Sequence, residues 1–269
     1  MHDVIYFTNK GKGGICMLIA ERLDKIVAFL NDHNGATIKE LADQLNVSKD
    51  TIRRDLMRLE KDHRIERTFG GAVIHDVKAP AFQYKKRHKM HMEEKNEIGK
   101  KAAELVRNGD SAFFGSSSTV DAIIPFLKDL RLDVITNSMT VAQGFANIGN
   151  DSIYILPGNI KRKHMRIVGS DTIDKINSFF TDYVFLGVIG CDAYGIYTST
   201  VEEGNVNKAM IAHAQKVVVL ADHSKFGLKG HYFISGLDKI DILITDREVD
   251  YEIEKALREA DVEILICNK

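Results

Sequence analysis

Apolar residues recur at intervals of three and four positions in two short stretches near the start of the chain. This spacing predicts two amphipathic helices joined by a tight turn. Thr37 and Glu40 have the spacing of a capping box at the start of the first helix, and Ser48 is suited to cap the second. The apolar positions are Ile38, Leu41, Ala42 and Leu45 in the first helix and Ile52, Leu56 and Leu59 in the second.

A further helix and a hairpin flank this pair. Before it, an apolar face predicts a helix that ends at the turn residues 31–35. After it, residues 65–73 predict two strands joined at Gly70 and Gly71. Three helices followed by such a hairpin predict a winged helix-turn-helix domain over residues 17–74. The apolar face of the helix before the pair consists of Ile19, Leu23, Ile26, Val27 and Leu30.

The second helix of the pair directs a polar, arginine-rich face away from its apolar side. Arginine binds guanine edges and phosphates, so this helix is suited to the major groove of double-stranded DNA. A charged helix face is more often only a solvated surface, but the flanking helix and hairpin favour DNA here. The predicted DNA-binding residues are Thr37, Ser48, Lys49, Asp50, Thr51, Arg53, Arg54, Arg58, Arg67, Gly70 and Gly71.

From Ile98 onward, short apolar segments alternate with helical patterns. This alternation predicts a largely parallel, buried sheet with crossover helices, and therefore a larger α/β domain over residues 93–269 behind the small head. The predicted strands are residues 112–114, 132–136, 152–156, 183–189, 216–221, 240–245 and 262–267. The predicted helices are residues 120–130, 139–148, 171–180, 201–214 and 250–260.

Ligands of such a sheet bind beyond the carboxyl ends of its strands. Two successive strands there run into turns of small polar residues and then into helices, a setting that favours an anion such as phosphate. One such turn is usually only a turn; two in succession, together with the family resemblance described below, favour a phosphate site. Lys225 follows a later strand and offers a point charge. The predicted ligand-binding residues are Gly115, Ser116, Ser117, Ser118, Thr119, Asn137, Ser138, Asp192, Glu203, Lys208 and Lys225.

No catalytic residue is predicted. Asp222, His223 and Ser224 are the residue types of a hydrolase triad, but three consecutive side chains do not form a relay, and no G-x-S-x-G elbow is present. Glu203 and Lys208 lie five positions apart, so they cannot form an i, i+4 ion pair within a helix.

Composition narrows the classes of protein. The 269 residues are 44% hydrophobic and carry a net charge of −1, so positive charge is local: residues 48–69 hold seven Lys or Arg against five Asp or Glu. We therefore expect a dimer or tetramer that presents several heads to DNA. Three cysteines without C-x-x-C spacing predict neither a disulfide framework nor a zinc site. No apolar run reaches the length of about 20 residues that spans a bilayer, so we expect a cytoplasmic protein.

Residues 75–92 contain Pro80 and the basic run Lys85–Lys89 with little helical period, and they are predicted to be a linker. His88 and His91 are interpreted as surface histidines, and no metal or cofactor is predicted. Residues 1–16 do not fit the head, and we expect a disordered leader. Glycine codons at 13 and 14 have the form of a ribosome-binding sequence, so translation starting at Met17 is a hypothesis.

The same residues carry a resemblance. VSKDTIRRDLMRLE followed by ERTFGGA resembles the DNA-binding signature of the DeoR family of bacterial transcription regulators. In order along the chain, GSSST (115–119), TNS (136–138), EEGNVNKAMI (202–211), ADHSKFG (221–227) and ITD (244–246) resemble that family's sensor domain. The resemblance implies a repressor, without cofactor, whose C-terminal domain binds a phosphorylated sugar on a fold similar to ribose phosphate isomerase.

Two other functions stay open at this point. One is a sugar-phosphate isomerase-like enzyme with a DNA-binding head, although Ile189 and Cys191 stand among positions where the related enzymes carry polar and acidic groups. The other is a DNA-binding protein whose larger domain only oligomerises. Family members more often carry an acidic residue at the position of Gly115 and Gly-Gly at Pro157-Gly158, which separates this chain from the usual pattern.

Overall fold

The computed structural model describes residues 19–33, 36–61, 65–68, 70–74 and 84–267. The chain divides into two compact units, residues 1–76 and 77–269, and each has its own apolar core. The predicted leader lies outside the described residues, as do residues 75–83 of the predicted linker.

The first unit is a winged helix-turn-helix. Its sheet has the antiparallel order β1-β3-β2, and the short strand β1 is an addition to the predicted hairpin. A Cβ atom at Gly71 would lie 2.1 Å from the carbonyl oxygen of Ala36, so this pairing requires glycine. The elements are α1 (Ile19–His33), β1 (Ala36–Thr37), α2 (Ile38–Leu45), α3 (Lys49–Lys61), β2 (Ile65–Thr68) and β3 (Gly71–Ile74).

The capping box and the core of this unit follow the sequence pattern. The Thr37 N–H donates to Glu40 Oε2 over 2.8 Å, and the Glu40 N–H donates to Thr37 Oγ1 over 3.2 Å. Beneath the apolar faces lies an ion pair that the pattern does not predict. Arg22 Nε of α1 is 2.6 Å from Asp55 Oδ2 of α3, and Asp55 is 1% exposed. This pair links the first helix to the third.

The second unit is an α/β domain with two small accessory sheets. Its elements in chain order are α4 (Tyr84–Lys89), α5 (Met92–Ala103), β4 (Ser111–Phe114), α6 (Ser118–Asp121), β5 (Asp133–Thr136), α7 (Met139–Asn147), β6 (Ile153–Ile155), β7 (Asn159–Lys161), β8 (Arg166–Val168), α8 (Ser170–Ile176), β9 (Thr181–Gly187), β10 (Gly190–Asp192), β11 (Gly195–Thr198), α9 (Val201–Ala212), β12 (Ala214–Leu220), β13 (Tyr232–Ser235), β14 (Ile242–Thr245), α10 (Tyr251–Glu259) and β15 (Glu263–Ile266).

The main sheet is parallel throughout, with the order β15-β14-β12-β9-β4-β5-β6. Its seven strands are the seven predicted ones, and the predicted fold class is confirmed. The central strands are buried on both faces: Phe114 of β4 stacks on Phe185 of β9 with ring centroids 5.2 Å apart. The carboxyl ends of β4, β5, β9, β12 and β14 therefore share one edge.

Three predictions differ from the structure. The predicted helix over residues 120–130 is the short helix α6 followed by a 3₁₀ turn over Ile124–Leu127, because Pro125 interrupts the helical hydrogen bonds. The hairpin β7–β8 and the sheet β10-β11-β13 were not predicted, since their strands are too short for a clear periodicity. Among the described residues, no helix combines the length and apolarity needed to cross a membrane.

The third difference is in the predicted linker, where residues 84–89 form the helix α4. Tyr84 and Arg87, three positions apart and both partly buried, lie on the same side of this helix. Lys95 Nζ of α5 donates to the carbonyl oxygens of Arg87 and Met90, the latter over 2.6 Å. Tertiary contacts thus stabilise a helix that has no apolar period of its own.

We predict that Asp55→Asn weakens the first unit by about 1–3 kcal/mol, because the buried Asp55 carboxylate loses a charge-assisted hydrogen bond from the partly buried Arg22. Asp50→Asn on the same helix is the matched control, since Asp50 is exposed, and it should leave stability unchanged. Hydrogen exchange resolved by peptide in the full chain reports the opening of α3 separately from the second unit. Equal protection in both variants would show that the Arg22–Asp55 pair is not stabilising.

Candidate DNA-binding surface and effector site

The exposed face of α3 carries the predicted DNA-binding side chains. Asp50 accepts a hydrogen bond from Arg53 Nη1 over 2.7 Å, which holds that guanidinium against the helix. The Thr51 N–H donates to Ser48 Oγ over 3.1 Å, so Ser48 caps the helix as predicted. Exposed residues of this face are Lys49, Asp50, Arg53, Arg54 and Arg58, while Thr51 is partly buried.

The hairpin supplies the remaining predicted positions of this surface. Gly70 has φ +103°, a left-handed conformation that favours glycine, and it makes the turn between β2 and β3. Thr37 pairs with Gly71 across the sheet, next to the start of α2. Arg67 lies in β2, and its side chain is outside the described residues. The DNA-contact roles of these residues stay predictions.

At the carboxyl edge of the main sheet, the turn after β4 is held by its own side chains and by β9. Ser117 Oγ accepts a hydrogen bond from the Thr119 N–H over 3.2 Å and caps α6. A Cβ atom at Gly187 would lie 1.9 Å from Ser117 Oγ, so glycine at the end of β9 makes room for this turn. A Cβ at Gly115 would lie 2.8 Å from Leu186 Cδ2, so a larger residue there would require the Leu186 side chain to move.

Not every amide of the two predicted turns is available to a ligand. The Gly115 N–H donates to the Phe185 carbonyl oxygen, and the Ser138 N–H donates to Thr136 Oγ1, each over 2.9 Å. Within the described part of the chain, the N–H groups of Ser116 and Ser117 make no hydrogen bond. An anion at this edge would therefore contact the first turn at its centre.

A buried ion pair closes the same edge. Arg166, the first residue of β8, is 2% exposed, and its Nη1 pairs with Glu203 Oε2 of α9. Thr198 Oγ1 donates to the same carboxylate oxygen. Arg166 also forms a β-bridge with Ser138, so this pair adjoins the second predicted turn. Glu203 is therefore the ion-pair partner of a buried arginine. Its predicted role in effector binding would be indirect, by holding Arg166 in place.

Three buried polar atoms around this pair have no hydrogen-bond partner among the described residues: Arg166 Nε, Asn137 Oδ1 and His164 Nδ1. Asn137 uses its other group, since its Nδ2 donates to the Ile167 carbonyl oxygen over 3.0 Å. The pKa of His164 is lowered by burial and by the nearby charges of Arg166 and Arg87. Buried polar groups are nearly always hydrogen-bonded, so these atoms mark a place for a polar ligand or water.

Helix α4 contributes a second arginine to this region. Burial lowers the pKa of Arg87, and the positive charge of Arg166 lowers it further. On the same side of the helix, Tyr84 lies near Asp121 of α6, and burial raises the pKa of both side chains. Asp121 accepts a hydrogen bond from Thr140 Oγ1 over 3.0 Å. The region predicted to be a linker thus forms part of the site.

A second group of charges lies at the carboxyl end of β12. Lys225 Nζ donates to Ser224 Oγ over 3.0 Å and is 3.7 Å from Asp222 Oδ2, an atom without a hydrogen-bond partner among the described residues. Burial lowers the pKa of Lys95 to about 8, with Lys225 and Arg87 adding to the shift. In the main sheet β9 lies between β4 and β12, so Lys225 and the Ser117 turn follow strands on either side of β9.

Two predicted effector residues make their contacts elsewhere. Asp192 accepts from the Tyr194 N–H over 2.9 Å and from Tyr197 Oη over 3.1 Å, so it closes the β10–β11 turn. Lys208 Nζ donates to Tyr232 Oη over 3.2 Å and lies over that ring. None of the described contacts joins either residue to the turns after β4 and β5, and their effector roles stay predictions.

The residues that sequence reasoning missed are Arg87, Arg166 and His164. Arg87 lies within a basic run that resembles a solvated connector. Arg166 and His164 belong to a short hairpin whose first strand is fully exposed and shows no pattern. The one available signal is a basic cluster, residues 161–166, next to the predicted strand at 152–156.

The chain matches two family descriptions. Residues 22–78 match the DeoR-like helix-turn-helix domain, and residues 90–247 match the DeoR C terminal sensor domain.

Curated relatives match nearly end to end. The HTH-type transcriptional repressor GlcR of Bacillus subtilis is 39% identical over 249 residues, covering 93% of this chain and 96% of the relative. The HTH-type transcriptional regulator GlpR of Haloferax volcanii is 31% identical over 251 residues, covering 93% and 98%. The Glycerol-3-phosphate regulon repressor of Escherichia coli is 27% identical over 251 residues, covering 92% and 98%.

Similar solved structures are more distant. Ribose 5 phosphate isomerase A from Neisseria gonorrhoeae aligns with a TM-score of 0.35 and 16% identity, covering 50% of this chain and 53% of that chain. The eIF2B delta structure from Chaetomium thermophilum aligns with a TM-score of 0.44 and 17% identity, covering 59% of each. TM-scores below 0.5 do not support an inference about function. The fold is assigned from the strand order of the main sheet.

We predict that Glu203→Gln destabilises the second unit by about 3–5 kcal/mol, because Arg166 keeps its buried charge and loses its carboxylate partner. The neighbouring Glu202→Gln is the matched control, since Glu202 is exposed, and it should leave the urea midpoint unchanged. Urea unfolding followed by circular dichroism measures both variants. The same midpoint in both would mean that the Arg166–Glu203 pair does not stabilise the fold.

Proposed function

Since the chain belongs to the DeoR family of transcription regulators, we propose that it is a repressor of a carbohydrate-metabolism operon controlled by a phosphorylated sugar or related metabolite. The chain is a regulator and not an enzyme. Relatives named as a transcriptional repressor and as a glycerol-3-phosphate regulon repressor support this reading of its role.

The observation that carries the proposal is the polar, arginine-containing region beside β5. Arg166 Nε is a hydrogen-bond donor and Asn137 Oδ1 is an acceptor. Neither atom has a hydrogen-bond partner among the described residues. A phosphorylated sugar offers both an anion for the arginines and hydroxyl groups for the amide. A purely apolar or cationic ligand would leave these groups unsatisfied. If the larger domain only oligomerised, these unpaired polar groups would have no explanation.

Phosphate recognition at this edge would use the Ser117 turn together with Arg166 and Arg87, and Lys225 would add a further positive charge from the end of β12. Arg87 lies on the first described helix after the head. A ligand that binds one state of this helix more tightly than another would change operator affinity, and a coupling of about 1–3 kcal/mol is typical.

On the DNA side, we propose that a cytoplasmic dimer or tetramer places α3 of each head in successive major grooves of an operator. One head presents only a few arginines, so two half-sites raise affinity through effective concentration. Analytical ultracentrifugation of the free and DNA-bound protein tests this, and a monomer in both conditions would contradict it.

We predict that Arg54→Ala weakens operator binding by about 1–3 kcal/mol if Arg54 contacts a base, without changing the fold, because its side chain lies outside the apolar core. The operator is first selected from random DNA with the wild-type protein, and gel shifts then compare the variants. Arg131→Ala, an exposed arginine of the second unit, is the control and should bind as wild type. Wild-type affinity in both Arg54→Ala and Arg53→Ala would contradict the assignment of α3 to the DNA interface.

We further predict that sugar phosphates stabilise the protein and that the corresponding free sugars do not. A ligand at 100 times its dissociation constant should add about 2.7 kcal/mol, which a thermal-shift screen that includes glycerol 3-phosphate and hexose phosphates detects.

Ser117→Asp should abolish that stabilisation and the ligand's effect on DNA, since it places a negative charge in the turn while aspartate still caps α6. Ser170→Asp, at the start of α8 and exposed, is the control. A full response in Ser117→Asp would place the effector elsewhere.

A further inference from the structure

Two histidines and a glutamate meet outside the groups assigned to the effector. His91 precedes α5, Glu94 lies in the first turn of that helix, and His223 follows β12. One potential ligand atom from each residue lies within 4.8 Å of the others, and all three side chains are partly buried. The two imidazole rings meet edge to face, with centroids 5.2 Å apart. Two segments distant in sequence, residues 91–94 and His223, thus bring nitrogen and oxygen ligands to one point.

The orientation of His223 is fixed by a carboxylate. Its Nδ1 is 2.8 Å from Asp246 Oδ2, and its backbone N–H donates to Asp246 Oδ1 over 2.6 Å. Because the carboxylate accepts, Nδ1 carries the proton and Nε2 keeps its lone pair. Histidines that bind metals almost always have this arrangement, with the second ring nitrogen donating to a carboxylate or carbonyl. A histidine on an ordinary solvated surface has no need of it.

The cations beside this cluster lie near carboxylates: Lys225 Nζ is 3.7 Å from Asp222 Oδ2, and Lys95 lies near Asp222 and Glu94. Arg247 Nε is 2.9 Å from Asp246 Oδ2, whereas Arg247 Nη2 is 3.9 Å from Glu94 Oε1. The closer contact lies on the carboxylate behind His223, so a cation bound to Glu94 would displace only the longer one. His91 Nδ1 lies 3.6 Å from Glu94 Oε1.

We propose that His91, Glu94 and His223 bind a divalent first-row transition metal ion, with zinc as the best candidate. Imidazole nitrogens with one carboxylate suit zinc, whereas magnesium and calcium prefer oxygen ligands throughout. Three protein ligands leave a further coordination position for water or a ligand oxygen. The ion would fasten the start of α5 to the carboxyl end of β12.

The test uses the full chain after treatment with a chelator, titrated with zinc chloride in a calorimeter. Wild type should bind one ion per chain at this site. His91→Ala and His223→Gln should each lose that binding, and Asp246→Asn should weaken it by about 10–100-fold because it removes the orienting carboxylate. His88→Ala is the matched control, since His88 is an exposed histidine of α4 that is not part of the cluster, and it should bind as wild type.

Cobalt substitution distinguishes this site from the cysteines, because only thiolate ligands give strong charge-transfer absorption. We expect the cobalt-bound wild type to show a spectrum without that band, and we expect this spectrum to be absent in His91→Ala. Circular dichroism checks that each variant is folded, and the two histidine variants lie on separate segments, so one misfolded variant leaves the other as a test. Absence of zinc binding in wild type, or wild-type binding in folded His91→Ala or His223→Gln, would overturn the assignment.

Discussion

The buried ion pair between Arg166 and Glu203 is the constraint on which the candidate effector site depends. Moving two charges out of water costs several kcal/mol each, and their attraction offsets this only when their remaining hydrogen bonds are satisfied. Thr198 supplies one such bond to Glu203. Arg166 Nε has none among the described residues, so the pair is satisfied on its carboxylate side and incomplete on its guanidinium side. An anionic ligand would complete it.

This pair also explains why the site combines segments with little pattern of their own. The β7–β8 hairpin reaches α9 through Arg166, and it reaches the turn after β5 through the bridge between Ser138 and Arg166. Asn137 then bonds to the backbone of β8. The hairpin, whose Ile167 and Val168 are buried, is thus also held by polar contacts to two neighbouring elements. The cost of burying Arg166 is offset by its attraction to Glu203.

The sequence predicts the parts of the molecule that depend on apolar periodicity. The seven strands of the main sheet, the helix pair of the head and the capping box of Thr37 and Glu40 each have a local pattern, and each is confirmed. Helix α4 and Arg166 do not have one. Helix α4 forms because it packs against α6 near Asp121, a segment distant in sequence, and because Lys95 of the next helix donates to the carbonyl oxygens of Arg87 and Met90. Such contacts leave no periodic trace in the chain.

The position of α4 bears on how one chain could couple two functions. Helix α4 is the first described element after the head. Of its two inward residues, Tyr84 lies near Asp121, and Arg87 lies near the positive charge of Arg166. A ligand that adds negative charge between Arg87 and Arg166 would weaken their mutual repulsion and so favour the packed form of α4. A free sugar, having no charge, would fill the same space without that effect. The charge of the metabolite, more than its shape, would then set the position of the helix that leads to the DNA-binding unit.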